Sequence, residues 1–176
     1  MYSAQAKALL LRAQLTKGNQ NAKKRLLEMA KQKFEAVASA QTSLEMIREK
    51  DYEFWGDILV EQTRDTNFIE ESSIFFENAA EKYLIVLEMS DDNDLSQVWW
   101  KWVHCRASTI AYLHTKFKSL EAEFILQSII QKYNLFKKRI TKNWLSELNF
   151  RLYYLSENSK VNPEPYYFAL ATTLQR

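Results

Sequence analysis

The sequence predicts an all-α fold of about seven to eight antiparallel helices stacked as helical hairpins, in an array or a bundle. Three observations predict it. Only two glycines and two prolines occur among 176 residues, far below the usual ~7% and ~5%. Hairpin turns, phosphate-cradling loops and doubly wound α/β folds all need glycine. The helix formers Leu, Ala, Glu, Lys and Gln dominate the rest, and apolar residues recur with helical spacing along most of the chain.

The first helix covers residues 3–16, with Ala6, Leu9, Leu10 and Ala13 as its stripe. Gly18-Asn19 is a turn, because glycine accepts a positive φ and asparagine tolerates it. Asn21 then caps a second helix that runs to about Ala40. Its inner face is Leu26, Leu27, Ala30, Phe34, Val37 and Ala38; Lys23, Lys24, Arg25, Lys31 and Lys33 are solvated. Thr42-x-x-Glu45 has capping-box spacing, so a third helix either restarts near Ser43 or continues the second. It reaches about Arg64, with Phe54, Trp55, Ile58 and Leu59 apolar. Gly56 inside it costs ~1 kcal/mol relative to alanine, which points to a neighbouring helix packed closely against it. Asp65-Thr66-Asn67 is the next turn, and a fourth helix spans roughly Phe68 to Met89.

The fifth helix begins at Leu95 or Ser96. Val98, Trp102, Cys105 and Thr109 lie on one face, and Trp99, Val103, Ile110 and Leu113 on an adjoining one. So wide an arc predicts a central helix touched on two sides. Trp100 falls off both stripes; it is either a partly exposed partner contact or packed under a neighbouring loop. A sixth helix, Leu120 to Phe136, turns Phe124, Leu126, Ile129, Ile130 and Tyr133 inward. Trp144, Leu145, Leu148, Leu152 and Leu155 stripe a seventh. After a loop with both prolines, a short eighth helix, Tyr166 to Arg176, shows Tyr167, Leu170, Ala171 and Leu174 on one side. It stops without a capping signal, so a partner chain or another repeat is expected beyond it. Tyr167, Leu170 and Leu174 are therefore candidate partner contacts with Trp100, and residues 1–176 form one helical domain or the first part of a larger repeat assembly.

Within the fourth helix, Ala79-x3-Tyr83-x2-Val86-Leu87-Glu88 resembles the second helix of a tetratricopeptide repeat, and Ala30-x3-Phe34-x2-Val37 is similar to the same helix. The family's helix-ending proline is absent, since Asp91 stands there, and no W-x2-L-G-x2-Y first helix is found. The resemblance covers two helices and implies stacked hairpins that recognise another protein or a copy of the chain.

Net charge is +2, divided unevenly: +6 over residues 1–50, −11 over 51–95 and +7 over 96–176. The acidic middle pairs either with the chain's own basic ends or with a basic partner. The one cysteine, Cys105, excludes an internal disulfide and fits a reducing, cytoplasmic setting. No apolar run approaches the ~20 residues of a membrane span, and the N-terminus lacks a basic leader and cleavage site.

Catalytic signatures are missing: no Gly-rich phosphate loop, H-E-x-x-H, G-x-S-x-G or C-x-x-C occurs. His104 beside Cys105 points about 100° away from it on a helix, too far for a base and its nucleophile. His104 and His114, ten residues apart, do not form a helical metal pair. The acidic turn at 90–94 lacks the glycine and closing glutamate of a calcium loop. The expectation is a non-enzymatic adaptor or scaffold with no cofactor, metal or small-molecule substrate. The alternative is a nucleic-acid-binding subunit using the basic cluster Lys132, Lys137, Lys138, Arg139 and Lys142, with Tyr133 or Phe136 to stack on bases.

Overall fold

A computed structural model describes residues 2–16, 18–39, 49–65 and 69–140. They form helices α1 (Tyr2–Leu15), α2 (Gln20–Ser39), α3 (Glu49–Asp65), α4 (Ile69–Met89), α5 (Ser96–Thr115) and α6 (Ser119–Phe136), closed by a 3₁₀ turn at Lys137–Arg139. No strand occurs among the described residues, so the chain is all-helical there. The expected Thr42 capping box and the seventh and eighth helices lie outside the described residues. No described helix is long and apolar enough to cross a membrane.

Each helix packs chiefly against the next in chain order, and one continuous core runs through all six. Ala6, Leu10 and Ala13 of α1 face α2, which answers with Leu27, Ala30 and Phe34. Gly18 turns the chain with φ +80°. The cap of α2 is Asn19 and not the expected Asn21: its Oδ1 accepts the Ala22 N–H at 3.0 Å. Helix α2 starts two residues earlier than an Asn21 cap would give, at Gln20, which puts Asn19 at the capping position. Phe34 stacks on Trp55 of α3, ring centroids 6.1 Å apart.

The α3–α4 contact turns on Gly56. A β-carbon placed there would lie 2.5 Å from the Tyr83 ring, so glycine is required for the ring to pack this closely on α3. Ala79, Tyr83, Val86 and Leu87 are all buried, as their spacing predicts. Helix α5 sits between α4 and α6, and both of its predicted faces are buried.

Two exposures differ from expectation. Trp100 is buried, 4% exposed, so of its two expected settings the partly exposed one does not hold, and a helix rather than a loop lies beside its neighbour His104. Its ring stacks on His104, which meets Phe76 of α4 edge-on at 5.4 Å. Helix α4 therefore closes the side of α5 that falls off both stripes. Phe124, expected inside, is 78% exposed. Helix α6 carries two apolar rows, and α5 takes the one with Ala122, Ile125, Ile129 and Phe136. Leu120, Phe124 and Leu135 fall on the other, roughly 140° away around the helix. Between α5 and α6 the chain reverses in a Schellman turn, with the Phe117 N–H on the His114 carbonyl and the Lys118 N–H on the Leu113 carbonyl. Phe117 holds the left-handed position, φ 57°, that glycine usually takes.

The acidic middle is tied to both basic ends. Lys7 reaches Asp51 and Lys23 reaches Glu61 from the N-terminal side; Lys23 is thus ion-paired and half-buried, where solvation was expected. Lys101, Lys116 and Lys132 reach Glu53 with Asp57, Glu70 and Glu88 from the C-terminal side.

Tyr83→Ala should cost about 3 kcal/mol, and Gly56→Ala should destabilise despite alanine's better helix propensity. In a double-mutant cycle measured by urea unfolding, the Gly56→Ala cost should largely vanish in the Tyr83→Ala background. Additive costs would place the two residues out of contact.

Candidate binding groove

Asn21, Lys24, Arg25, Glu28 and Gln32 recur at helical spacing along one flank of α2. Opposite them stand Gln62, near the end of α3, and Glu71 with Phe75, in the first two turns of α4. Because α2 and α4 both lean on α3, this end of the seam stays open as a groove of about 630 Å³, in the size range of ligand pockets. Leu27, Met29 and Phe75 give it an apolar lining, and Met29 is 41% exposed. A second depression of about 490 Å³, between α1 and α2, shares Asn21, Arg25 and Met29 with it. Apolar surface thus continues around the N-terminal half of α2.

Gln62 gives the groove its polarity. It is 8% exposed. Its Nε2 donates to Glu28 Oε2 at 3.2 Å, while its Oε1 is buried with no hydrogen-bond partner among the described residues. A buried carbonyl left unmatched costs roughly 1–3 kcal/mol.

A second polar cluster lies deeper and binds helices to each other. Lys101 Nζ of α5 sits 2.7 Å from Glu53 Oε1 and 2.8 Å from Asp57 Oδ1, both on α3. The Tyr83 hydroxyl donates to the same Asp57 oxygen at 2.8 Å. Burial alone would push the Lys101 ammonium down, but the Asp57 charge and the hydrogen bonds to Asp57 and Glu53 outweigh it and hold it above its usual range. Burial, then the Asp57 charge, pushes the Tyr83 phenol well up. All four groups are satisfied by one another, so the cluster fastens α3, α4 and α5.

Next to it, burial and then the Arg64 charge bring His104 down to about 4, so the imidazole is neutral. Burial pushes the Cys105 thiol up, which removes the thiolate that nucleophilic chemistry needs. At the acidic turn, Asp94 Oδ1 accepts the Ser96 N–H at 3.0 Å and so serves the start of α5. No group of His, Cys, Asp and Glu suited to a metal ion occurs among the described residues.

The candidate residues of the sequence are not gathered in one place. Trp100 is interior. Lys132 pairs with Glu88 at 2.6 Å. The Arg139 guanidinium donates to the Ser90 and Asp92 carbonyls, while its own carbonyl accepts the Leu95 N–H at 2.8 Å. Lys137 and Lys138 are exposed on the 3₁₀ turn. Lys142, Tyr167, Leu170 and Leu174 lie outside the described residues. The groove residues carry no sequence signal beyond the spacing of α2. Compared with known proteins, the chain matches no family model, no curated protein and no solved structure at a significant level.

His104 generates a pH test. Its folded value lies below the ordinary ~6.5, so stability is level above about pH 6.5 and is lost as the pH falls toward 4. Roughly 2 kcal/mol should disappear between pH 7 and 5. In His104→Leu, urea midpoints at the two pH values should nearly coincide; an unchanged pH dependence would exclude His104 as its source. Tyr83 and Lys101, both raised, should cost the fold stability as the pH rises past about 10.

Proposed function

We propose that the chain is a non-enzymatic protein–protein interaction module, an adaptor or scaffold in a cytoplasmic complex, built from helical hairpins resembling tetratricopeptide repeats. The observation that carries this reading is the groove between α2, α3 and α4, which is apolar at its base and rimmed by charges. Cross-helix contacts support the hairpin reading. Thr63 meets Ser72 while Asp57 meets Tyr83, and Glu70 meets Lys116 while Phe76 meets His104. In each pair of helices the partners step in opposite directions, as antiparallel neighbours do. The small–large pairs of the resemblance, Ala30 with Phe34 and Ala79 with Tyr83, are buried.

The nucleic-acid reading has less support. Two of its cations, Lys132 and Arg139, are engaged by the acidic segment, which weakens the stripe that phosphates would track.

Met29 is exposed in the groove, so Met29→Glu should leave the melting temperature within a degree or two while lowering recovery of co-purifying protein at least tenfold, read by quantitative mass spectrometry. Equal recovery would overturn the groove as the binding surface. Retention on heparin that falls steeply with salt and is abolished by Lys137→Glu/Lys138→Glu would favour nucleic acid instead.

A further inference from the structure

Resting on the interaction-module reading, we propose that the depression between α1 and α2 takes an acidic, apolar-anchored peptide segment: one bulky aliphatic side chain with an Asp or Glu on both sides, each within about one helical turn. The anchor packs on Leu9, Leu26 and Met29, and the carboxylates pair with Arg12 and Arg25. The depression shares Arg25 and Met29 with the groove of that reading.

Residues 1–27 carry six cations, Lys7, Arg12, Lys17, Lys23, Lys24 and Arg25, and no Asp or Glu. The acidic helix α3 takes two of them: Lys7 pairs with Asp51 and Lys23 with Glu61. Arg12 and Arg25 stay exposed and make no ion pair or side-chain hydrogen bond among the described residues. Both line the depression, Arg12 one turn beyond Leu9 on α1 and Arg25 one turn beyond Ala22 on α2. No carboxylate stands among its described lining residues, so nothing there cancels the two charges. Glu28, the first carboxylate of the chain, lines the neighbouring groove and is engaged by Gln62 and Lys31. A guanidinium is weakly hydrated and offers a carboxylate two parallel hydrogen bonds, so these side chains favour an anionic occupant.

The surface between the arginines selects further. Leu9 and Leu26 are half-buried and Met29 is exposed, which gives an accessible apolar base. The space above it, about 490 Å³, falls in the size range of ligand pockets. Methionine is flexible and adapts to anchors of different shape. No aromatic ring stands among the described lining residues for a nucleobase to stack on, which favours an acidic protein segment over a nucleic-acid strand.

The test is peptide selection on the immobilised full-length chain. Random twelve-residue peptides displayed on phage should enrich Leu, Ile or Met flanked within four residues by Asp or Glu. A synthetic peptide of that consensus, followed by fluorescence anisotropy, should bind Arg12→Glu and Arg25→Glu each at least fivefold more weakly. Their melting temperatures should stay within a degree or two of the parent, because both positions are exposed and unpaired. Asn or Gln in place of the peptide's acids should abolish binding to the parent chain. Arg12→Glu/Arg25→Glu should bind the peptide at least twentyfold more weakly and recover affinity for a version whose acids are replaced by Lys, which a merely structural effect would not produce. A basic or uncharged consensus, or equal affinity for the parent and the double variant, would overturn the proposal. So would displacement of the peptide by an equimolar twelve-nucleotide single strand, which would assign the depression to nucleic acid. Selected peptides that bind the double variant unchanged and lose affinity for Met29→Glu would leave the interaction module standing and remove only this ligand class. With no peptide enriched the proposal fails, and the module reading then rests on the co-purification test of Met29→Glu.

Discussion

The packing of the Tyr83 ring on Gly56 is the contact on which the middle of the fold depends. It brings α3 and α4 closer than any β-carbon would allow and carries the phenol past the helix surface to Asp57. Asp57 then shares the Lys101 ammonium with Glu53, so three helices meet at one satisfied polar knot within an apolar interior. Such a knot resists sliding: moving α4 along α3 by one residue would strand the phenol and uncover Asp57, and buried groups without partners are costly. Glycine loses more conformational entropy on folding than alanine; here that loss is offset by the area the tyrosine ring buries.

The uneven charge of the sequence has a structural use in the same terms. Residues 51–95 carry −11, and left alone their two helices would repel each other. Cations from α1, α2, α5 and α6 neutralise them from both sides. Most of these pairs are partly exposed, and each contributes little by itself. Their value lies in number and direction, because they favour an order in which acidic helices are flanked by basic ones. Lys132 and Arg139 belong to this system, and what reads in sequence as a nucleic-acid stripe is partly a clamp on the chain's own acidic turn.

Much of this was legible in the sequence. Stripe spacing placed the six helices of the described residues, the scarcity of glycine argued against hairpin turns and phosphate loops, and Gly56 was readable as a point of close approach. The partner of Gly56 was not, since nothing local links positions 56 and 83. Trp100 was left undecided and Phe124 was misread for one reason: both helices carry apolar residues on more than one row, and only the neighbours decide which rows are covered. Helix α4 reaches His104, on which Trp100 stacks, and α5 selects one of two rows on α6. Gln62 had no signal at all. A glutamine on a helix is ordinary in sequence, and its significance arises only when burial removes water from one end of the amide and no donor replaces it.

The position of the groove follows from how the seam between α2 and α3 is held. At one end Phe34 stacks on Trp55. At the other, Lys23 pairs with Glu61 and Gln62 with Glu28. The aromatic end is nondirectional and tolerates small tilts, whereas the polar end is fixed by the geometry of hydrogen bonds. The groove opens at this polar end, where Gln62 and Glu28 line it and hold the seam by one hydrogen bond.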